Sequence, residues 1–291
     1  MLAFNTTISV ALCTYNGGRY LNQQLDSILS QSVTVSEIVV CDDGSTDESV
    51  NILKTYQSLY PQLFKVYFNS QRLGTVKNFE KALSLVKGEI IFLADQDDIW
   101  LPQKVERMVA FMIAYPNALL YFTNGFLINS LGDIIDSTLF TQWNFSSPIQ
   151  ELWLDNKEAV KMLINNVNKV TGATLCIRSN LLDIAMPIDT PCGYWHDVWL
   201  AMHAAKYDGL FFTNECLIKY RVHEAQQVGL KDGNSELLKA SICKEKKRKF
   251  ESYLKKNFSG YYKFYRRKSS SRALQIFLKV KTILNGELKM L

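Results

Sequence analysis

The residues of this 291-residue chain that are equipped for chemistry gather where apolar runs end. Asp95-Gln96-Asp97-Asp98 follows directly on Glu89–Ala94. Carboxylates so placed suit a hard divalent cation, because Mg²⁺ usually takes one or two protein carboxylates and completes its shell with water and substrate phosphate oxygens. An acidic turn opening the next helix is the plainer use of the same residues. Asp42-Asp43-Gly44-Ser45-Thr46-Asp47 follows a second apolar run, Glu37–Cys41. One of its carboxylates can accept a hydrogen bond from a nucleobase N–H, while Ser45 or Thr46 caps a helix. Thr14-Tyr15-Asn16-Gly17-Gly18 follows a third run, Ile8–Cys13. Two later segments also carry reactive side chains: Trp195-His196-Asp197 and Tyr220-Arg221-Val222-His223.

The elements that must position these clusters alternate in type. Ile8–Cys13, Glu37–Cys41, Phe64–Phe68 and Glu89–Ala94 read as strands, and three of them are continuously apolar. Between them, Leu21–Gln31, Asp47–Leu59 and Val76–Val86 carry apolar residues at helical spacing. Continuous apolar strands separated by amphipathic helices predict an α/β sheet, largely parallel and covered on both faces. Ligands of such sheets sit beyond the carboxyl ends of the strands, where all three clusters fall. In the second half, Leu119–Phe122, Gly125–Ile128 and Thr171–Ile177 read as strands. Lys157–Ile164, Ser179–Ile184 and Asp197–Ala205 read as helices, and Leu210–Phe212 with Leu217–Tyr220 as a closing hairpin or ladder.

Neither a G-x-G-x-x-G nor a G-x-x-x-x-G-K-[ST] loop follows the first strand, which argues against a dinucleotide or P-loop site. The ordered set Thr14-Tyr15-Asn16, Asp42–Asp47, Arg72-Leu73-Gly74 with Asn78, and Gly88-Glu89 leading to Asp95–Asp98 resembles glycosyltransferase family 2. The resemblance covers roughly residues 8 to 225. The Gln-Asp-Asp-Ile-Trp run resembles the branch of rhamnosyltransferases and capsule or O-antigen enzymes.

The resemblance implies a GT-A fold and inverting sugar transfer from a nucleotide-sugar donor. It gives Thr14, Asn16, Asp43 and Arg72 contacts to nucleotide. It makes Asp95-Gln96-Asp97 the D-x-D motif, with Asp97 the metal ligand and Asp95 on ribose or metal. Mg²⁺ or Mn²⁺ is the implied cofactor, with His223 able to complete its shell. The family's late Glu-Asp motif is matched by His196-Asp197, a departure that leaves Asp197 as the catalytic base. Trp195 and Gly172 fall on the acceptor side. The Q-x-x-R-W motif of processive synthases is missing, which favours transfer of a single sugar. A catalytically silent binding or scaffold subunit is the alternative, and a nucleotidyltransferase the enzymatic rival. The latter usually carries a Gly-rich basic loop after the first strand.

Charge is unevenly spread. Residues 239–291 hold 16 of the 33 Lys+Arg and 3 of the 28 Asp+Glu, so a body of net −8 carries a tail of net +13. Basic residues interleaved with aromatics in residues 244–268 suit anionic lipid, and Arg272–Leu284 has one apolar helical arc, an interfacial pattern. The acidic body does not continue the patch, so nucleic acid is not expected as a partner. The expected organisation is a catalytic domain over 1–225 and a linker with a basic helical tail over 226–291. Met1–Thr7 lacks the pattern of a secretory signal, and the six cysteines show no CxxC pair. A cytoplasmic enzyme is expected, held on the inner face of the plasma membrane, where it meets a lipid-linked glycan.

Overall fold

The computed structural model describes residues 5–191, 193–224, 226 and 239–266. Its first half alternates β1 (Ile8–Thr14), α1 (Gly18–Leu29), β2 (Glu37–Asp42), α2 (Ser49–Leu59), β3 (Phe64–Phe68), α3 (Thr75–Leu85) and β4 (Ile90–Ala94). These four strands pair in parallel in the order β3-β2-β1-β4. Every residue of β1, β2 and β4 is buried, because helices cover both faces. Alternate residues therefore feed two cores. Val10 and Leu12 join α1 on one face, and Ala11 and Cys13 join α3 on the other.

The second half completes the sheet with mixed polarity. It comprises β5 (Ile99–Trp100), α4 (Lys104–Ala114), β6 (Leu120–Ile128), β7 (Ile134–Thr138), α5 (Leu139–Gln142), α6 (Ser147–Leu154), α7 (Asn156–Leu163), β8 (Leu175–Arg178), α8 (Leu182–Ala185), α9 (His196–Lys206) and β9 (Leu210–Arg221). Strand β8 runs antiparallel between β4 and β6, and β9 runs parallel to β6.

Three local expectations are corrected here. The two strands read at 119–128 are one strand, β6, with register irregularities around Asn124. The hairpin read at 210–220 is also one strand. Its polar middle, Thr213-Asn214-Glu215, sits where the pairing with β6 shifts register, so a bulge absorbs the residues that read as a turn. The strand read from Thr171 opens instead with a 3₁₀ turn, Gly172–Thr174.

Two further helices, α10 (Lys239–Asn257) and α11 (Ser259–Arg266), carry the first half of the basic tail. Phe250, Leu254 and Phe258 are buried in the same core as α9, while Lys246, Lys247, Arg248 and Lys249 are exposed. His203, behind the proposed base on α9, bonds the Tyr253 hydroxyl through Nε2 at 2.5 Å and the Trp199 carbonyl through Nδ1 at 2.7 Å. The apolar arc Arg272–Leu284 lies outside the described residues. Among the described residues no helix is long and apolar enough to cross a membrane.

Candidate active site

The carboxyl ends of β1, β2 and β4 meet the head of α9 around an open cleft. Thr14, Asp43, Asp95, Asp97, Gly172, Trp195 and Asp197 all line it, although the sequence spreads them over more than 180 positions. Asn16 and Arg72 are not among the lining residues. Asn16, at φ +50°, accepts from the Thr46 N–H at 2.8 Å and so joins the β1 and β2 loops. The Arg72 guanidinium sits 3.8 Å from the centre of the Tyr15 ring.

The loops that border the cleft are held by polar groups of the site itself. Gln96 accepts from the Thr14 hydroxyl and the Tyr15 N–H, each at 2.7 Å. Gly17 lets it do so, because a Cβ there would fall 2.2 Å from the Gln96 Oε1. Asp43 is almost fully buried, and its carboxylate accepts from the backbone N–H groups of Leu73 and Gly74 and from the Asn69 amide. It therefore orders the loop that carries Arg72, a duty additional to any ligand contact.

The acidic turn after β4 concentrates negative charge in a poorly solvated place. Asp95 is pushed up to about 7, first by burial and then by the charges of Asp97 and Asp197. The Oδ2 of Asp97 lies 2.8 Å from the His223 Nε2. Asp98 is fully buried, bonds the Arg221 N–H at 2.9 Å through Oδ1, and leaves Oδ2 without a partner. Arg221 itself points away from the cleft. Its guanidinium donates to the carbonyls of Asp97 and Asn129 and to Gln23, bracing the acidic turn.

Lys104 faces this cluster with its side chain wholly buried. Its ammonium donates to the Ala173 carbonyl at 2.6 Å and lies 4.1 Å from the centre of the Trp100 ring. Burial depresses its pKa to about 7 against the opposing pull of Asp98. Carboxylates outnumber cations here, an orphaned carboxylate oxygen is buried, and an imidazole adjoins Asp97. That donor set fits a hard divalent ion completed by phosphate oxygens. Among the described residues no group of three or more His, Cys, Asp or Glu is already gathered for a metal.

Across the cleft, Asp197 occupies the first turn of α9 and is almost fully buried. Burial raises its pKa to about 6, opposed by hydrogen bonds from the Val198 and Gly172 N–H groups and from Asn168. A carboxylate poised near neutrality beside an open cleft has the properties of a general base. Trp195 is partly exposed at the rim, whereas Trp199 is buried in the core. His196 lies flat on Phe79, with ring centres 4.0 Å apart.

Sequence reasoning missed Gln96, Lys104 and Asn168. Gln96 stands between Asp95 and Asp97, whose carboxylates carry the plainer chemical signal. Lys104 reads as an ordinary charged residue at a helix start; only the fold buries it.

The family model for "Glycosyl transferase family 2" matches residues 9–165, just over half of the chain. An uncharacterized glycosyltransferase of Rickettsia typhi is 26% identical over 223 residues, covering 77% of this chain and 66% of the relative. One from Nostoc is 27% identical over 247 residues, covering 84% and 71%. A putative glycosyltransferase of Bacillus subtilis, EpsE, is 35% identical over 105 residues, or 36% of this chain and 38% of that protein.

Among solved structures, S. aureus TarS 1-349 in complex with UDP-GlcNAc superposes with a TM-score of 0.56 at 20% identity, over 76% of this chain and 60% of that one. A Pyrobaculum calidifontis mannosyltransferase in complex with GDP-Man and Mn²⁺ gives 0.55 at 18% identity, over 76% and 59%. At such identities these likenesses establish the fold, the GT-A type. The chain thus spans about two thirds of the Rickettsia relative and about 60% of the two structural neighbours. With the family model, the glycosyltransferase relatives and the fold in agreement, the chain belongs to glycosyl transferase family 2 and is a glycosyltransferase.

Proposed function

We propose that the enzyme transfers a single sugar, with inversion, from a nucleotide-sugar donor to a hydroxyl of a lipid-linked glycan in bacterial surface polysaccharide synthesis. The observation that carries this reading is the placement of Asp197, a buried carboxylate of raised pKa, on the same cleft as Thr14, Asp43, Asp95 and Asp97. Asp197 accepts the acceptor's hydroxyl proton as that oxygen forms a bond to the anomeric carbon. The bond from that carbon to the diphosphate oxygen breaks on the opposite face, and its electron pair leaves with the diphosphate. An Mg²⁺ or Mn²⁺ ion held by Asp97, with Asp95 and His223 beside it, would supply Lewis-acid neutralisation of the leaving diphosphate. The Pyrobaculum neighbour was solved with GDP-Man and Mn²⁺, which supports the same donor class and ion here.

Thr14 and Asp43 serve the nucleotide. Asn16 and Arg72 serve it indirectly, by ordering the loops around it. Trp195 and Gly172 serve the acceptor. The exposed basic side of α10 supports docking on an anionic, cytoplasmic membrane face, since each Lys or Arg near such a surface contributes about 1 kcal/mol.

Donor hydrolysis and sugar transfer by Asp97→Ala and Asp197→Asn test the mechanism. Both variants are expected to lose at least about a hundredfold in turnover, the scale of a positioned acid–base group. Unchanged turnover in both leaves a binding subunit as the better reading.

A further inference from the structure

His196 stands where the family motif has an acid, and nothing in the mechanism above uses it. Its side chain is almost fully buried, yet it borders the cleft, and both ring nitrogens lack a hydrogen-bond partner. The ring is not free to turn away. Phe79 packs flat against it at 4.0 Å and 22°. On its Nε2 side the chain has Gly172, where a Cβ would fall 2.8 Å from that nitrogen. Buried polar groups in folded proteins are almost always paired, so an imidazole fixed at a cleft wall with both nitrogens buried and unpaired points to a ligand.

The chemistry narrows the ligand. Burial depresses the pKa of His196 to about 3, so the ring is neutral under working conditions. A neutral imidazole offers one N–H donor and one bare nitrogen acceptor. An ionised phosphate only accepts, and so answers half of that pattern. A sugar hydroxyl both donates and accepts. The motif's usual carboxylate would only accept, and it would place a second negative charge beside Asp197.

We infer that His196 is a specificity-determining residue that hydrogen-bonds a hydroxyl of a sugar bound in the cleft. The inference rests on the sugar-transfer reading above and adds which side chain selects the sugar. A site built to pair with a hydroxyl discriminates strongly against analogues that lack it, because its own polar atoms are then left unpaired.

Binding to the full-length protein separates the two sources of such a hydroxyl. The probes are UDP-glucose, GDP-mannose and dTDP-rhamnose, each against its nucleoside diphosphate with Mn²⁺, and p-nitrophenyl hexosides added to the diphosphate complex. The variants are His196→Phe, which removes both valences, and His196→Gln, which keeps a donor and an acceptor. His196→Leu replaces the Phe variant if thermal melting shows that the larger ring does not fit.

Loss of about tenfold in affinity for the nucleotide sugar, with affinity for the diphosphate held within about twofold, assigns the hydroxyl to the donor. The same loss confined to the hexoside assigns it to the acceptor. In either case the Gln variant recovers most of the affinity. The inference is overturned if neither affinity falls in the apolar variant, or if Gln loses as much as Phe, which would make the ring a shape-filling residue. A wild-type protein that binds the diphosphates but no nucleotide sugar overturns the sugar-transfer reading itself, and this inference with it.

Discussion

The buried ammonium of Lys104 donates to the carbonyl of Ala173 at 2.6 Å, so a cation that feels the charges of Asp98 and Asp95 is tied to the 3₁₀ turn beside Asp197. The neighbouring residue of that turn, Gly172, gives its N–H to Asp197. The turn that bonds Asp197 thus also holds the buried cation whose charge acts on the acidic cluster.

Removing that side chain's charge should therefore be costly. Lys104→Met leaves Asp98 and Asp95 with less compensating charge and the Ala173 carbonyl unpaired. A loss of about 1–3 kcal/mol is expected, the cost of leaving a buried polar group unpaired. Urea denaturation measures it, and a loss below about 1 kcal/mol would show that the cluster is not held together by this cation.

Gly172 admits no side chain. Its missing Cβ leaves the space that the His196 ring needs, with only 2.8 Å from the built Cβ to Nε2. Gly172→Ala should displace the imidazole and disturb the Asp197 hydrogen bond. Turnover is expected to fall about a hundredfold for a displacement of roughly 1 Å, while the melting midpoint drops far less than in Lys104→Met. Steady-state kinetics beside thermal melts check the pair; full activity in the Ala variant would refute the packing argument.

The raised pKa of Asp197 sets a pH dependence in two observables. As a base it must be ionised, so kcat/KM should rise with pH through about 6 and level off above it. For stability the sign is opposite. The folded-state value lies above the ordinary carboxylate value near 4, so the folded protein binds the proton more tightly. The contribution is present below pH 4 and lost as pH rises to about 6. The stability of wild type relative to Asp197→Asn should therefore decline over that interval. A difference that is flat from pH 4 to 7 would mean that Asp197 is not desolvated.

The basic helices should behave as two-faced. Phe250→Ala empties a buried site shared with Trp199 and Tyr194. It should cost about 3–5 kcal/mol in urea denaturation, as large-to-small core changes do. Replacing the exposed Lys246, Lys247, Arg248 and Lys249 with Gln should leave stability within about 0.5 kcal/mol. It should also weaken sedimentation with anionic liposomes in a salt-sensitive way. Equal liposome binding by the two proteins would exclude this face as the membrane contact.

The N-terminal half was legible because each signal there is local. A strand buried on both faces is a continuous apolar run, as in β1 and β4, and a polar cluster at its end marks the ligand edge. In the second half the signals were ambiguous. Thr213-Asn214-Glu215 has the composition of a turn, and only pairing with β6 makes it the bulged middle of β9. Thr171–Ile177 reads as one strand-like run, and only the structure opens it with a 3₁₀ turn at Gly172–Thr174.

By itself, the sequence determined the kind of sheet, the strand ends that bear chemistry, the order of the acidic motifs and the split of charge along the chain. These follow from residue type and spacing, which are properties of neighbours. Tertiary structure decided which side chains are desolvated and what they face. It buried Lys104 beneath the acidic turn, turned Arg221 from the cleft into a brace, and left His196 unpaired against Gly172 and Phe79. It also seated half of the basic tail on α9 through Phe250 and Tyr253. Burial and contact between residues far apart in sequence set those outcomes, and neither is written in any local pattern.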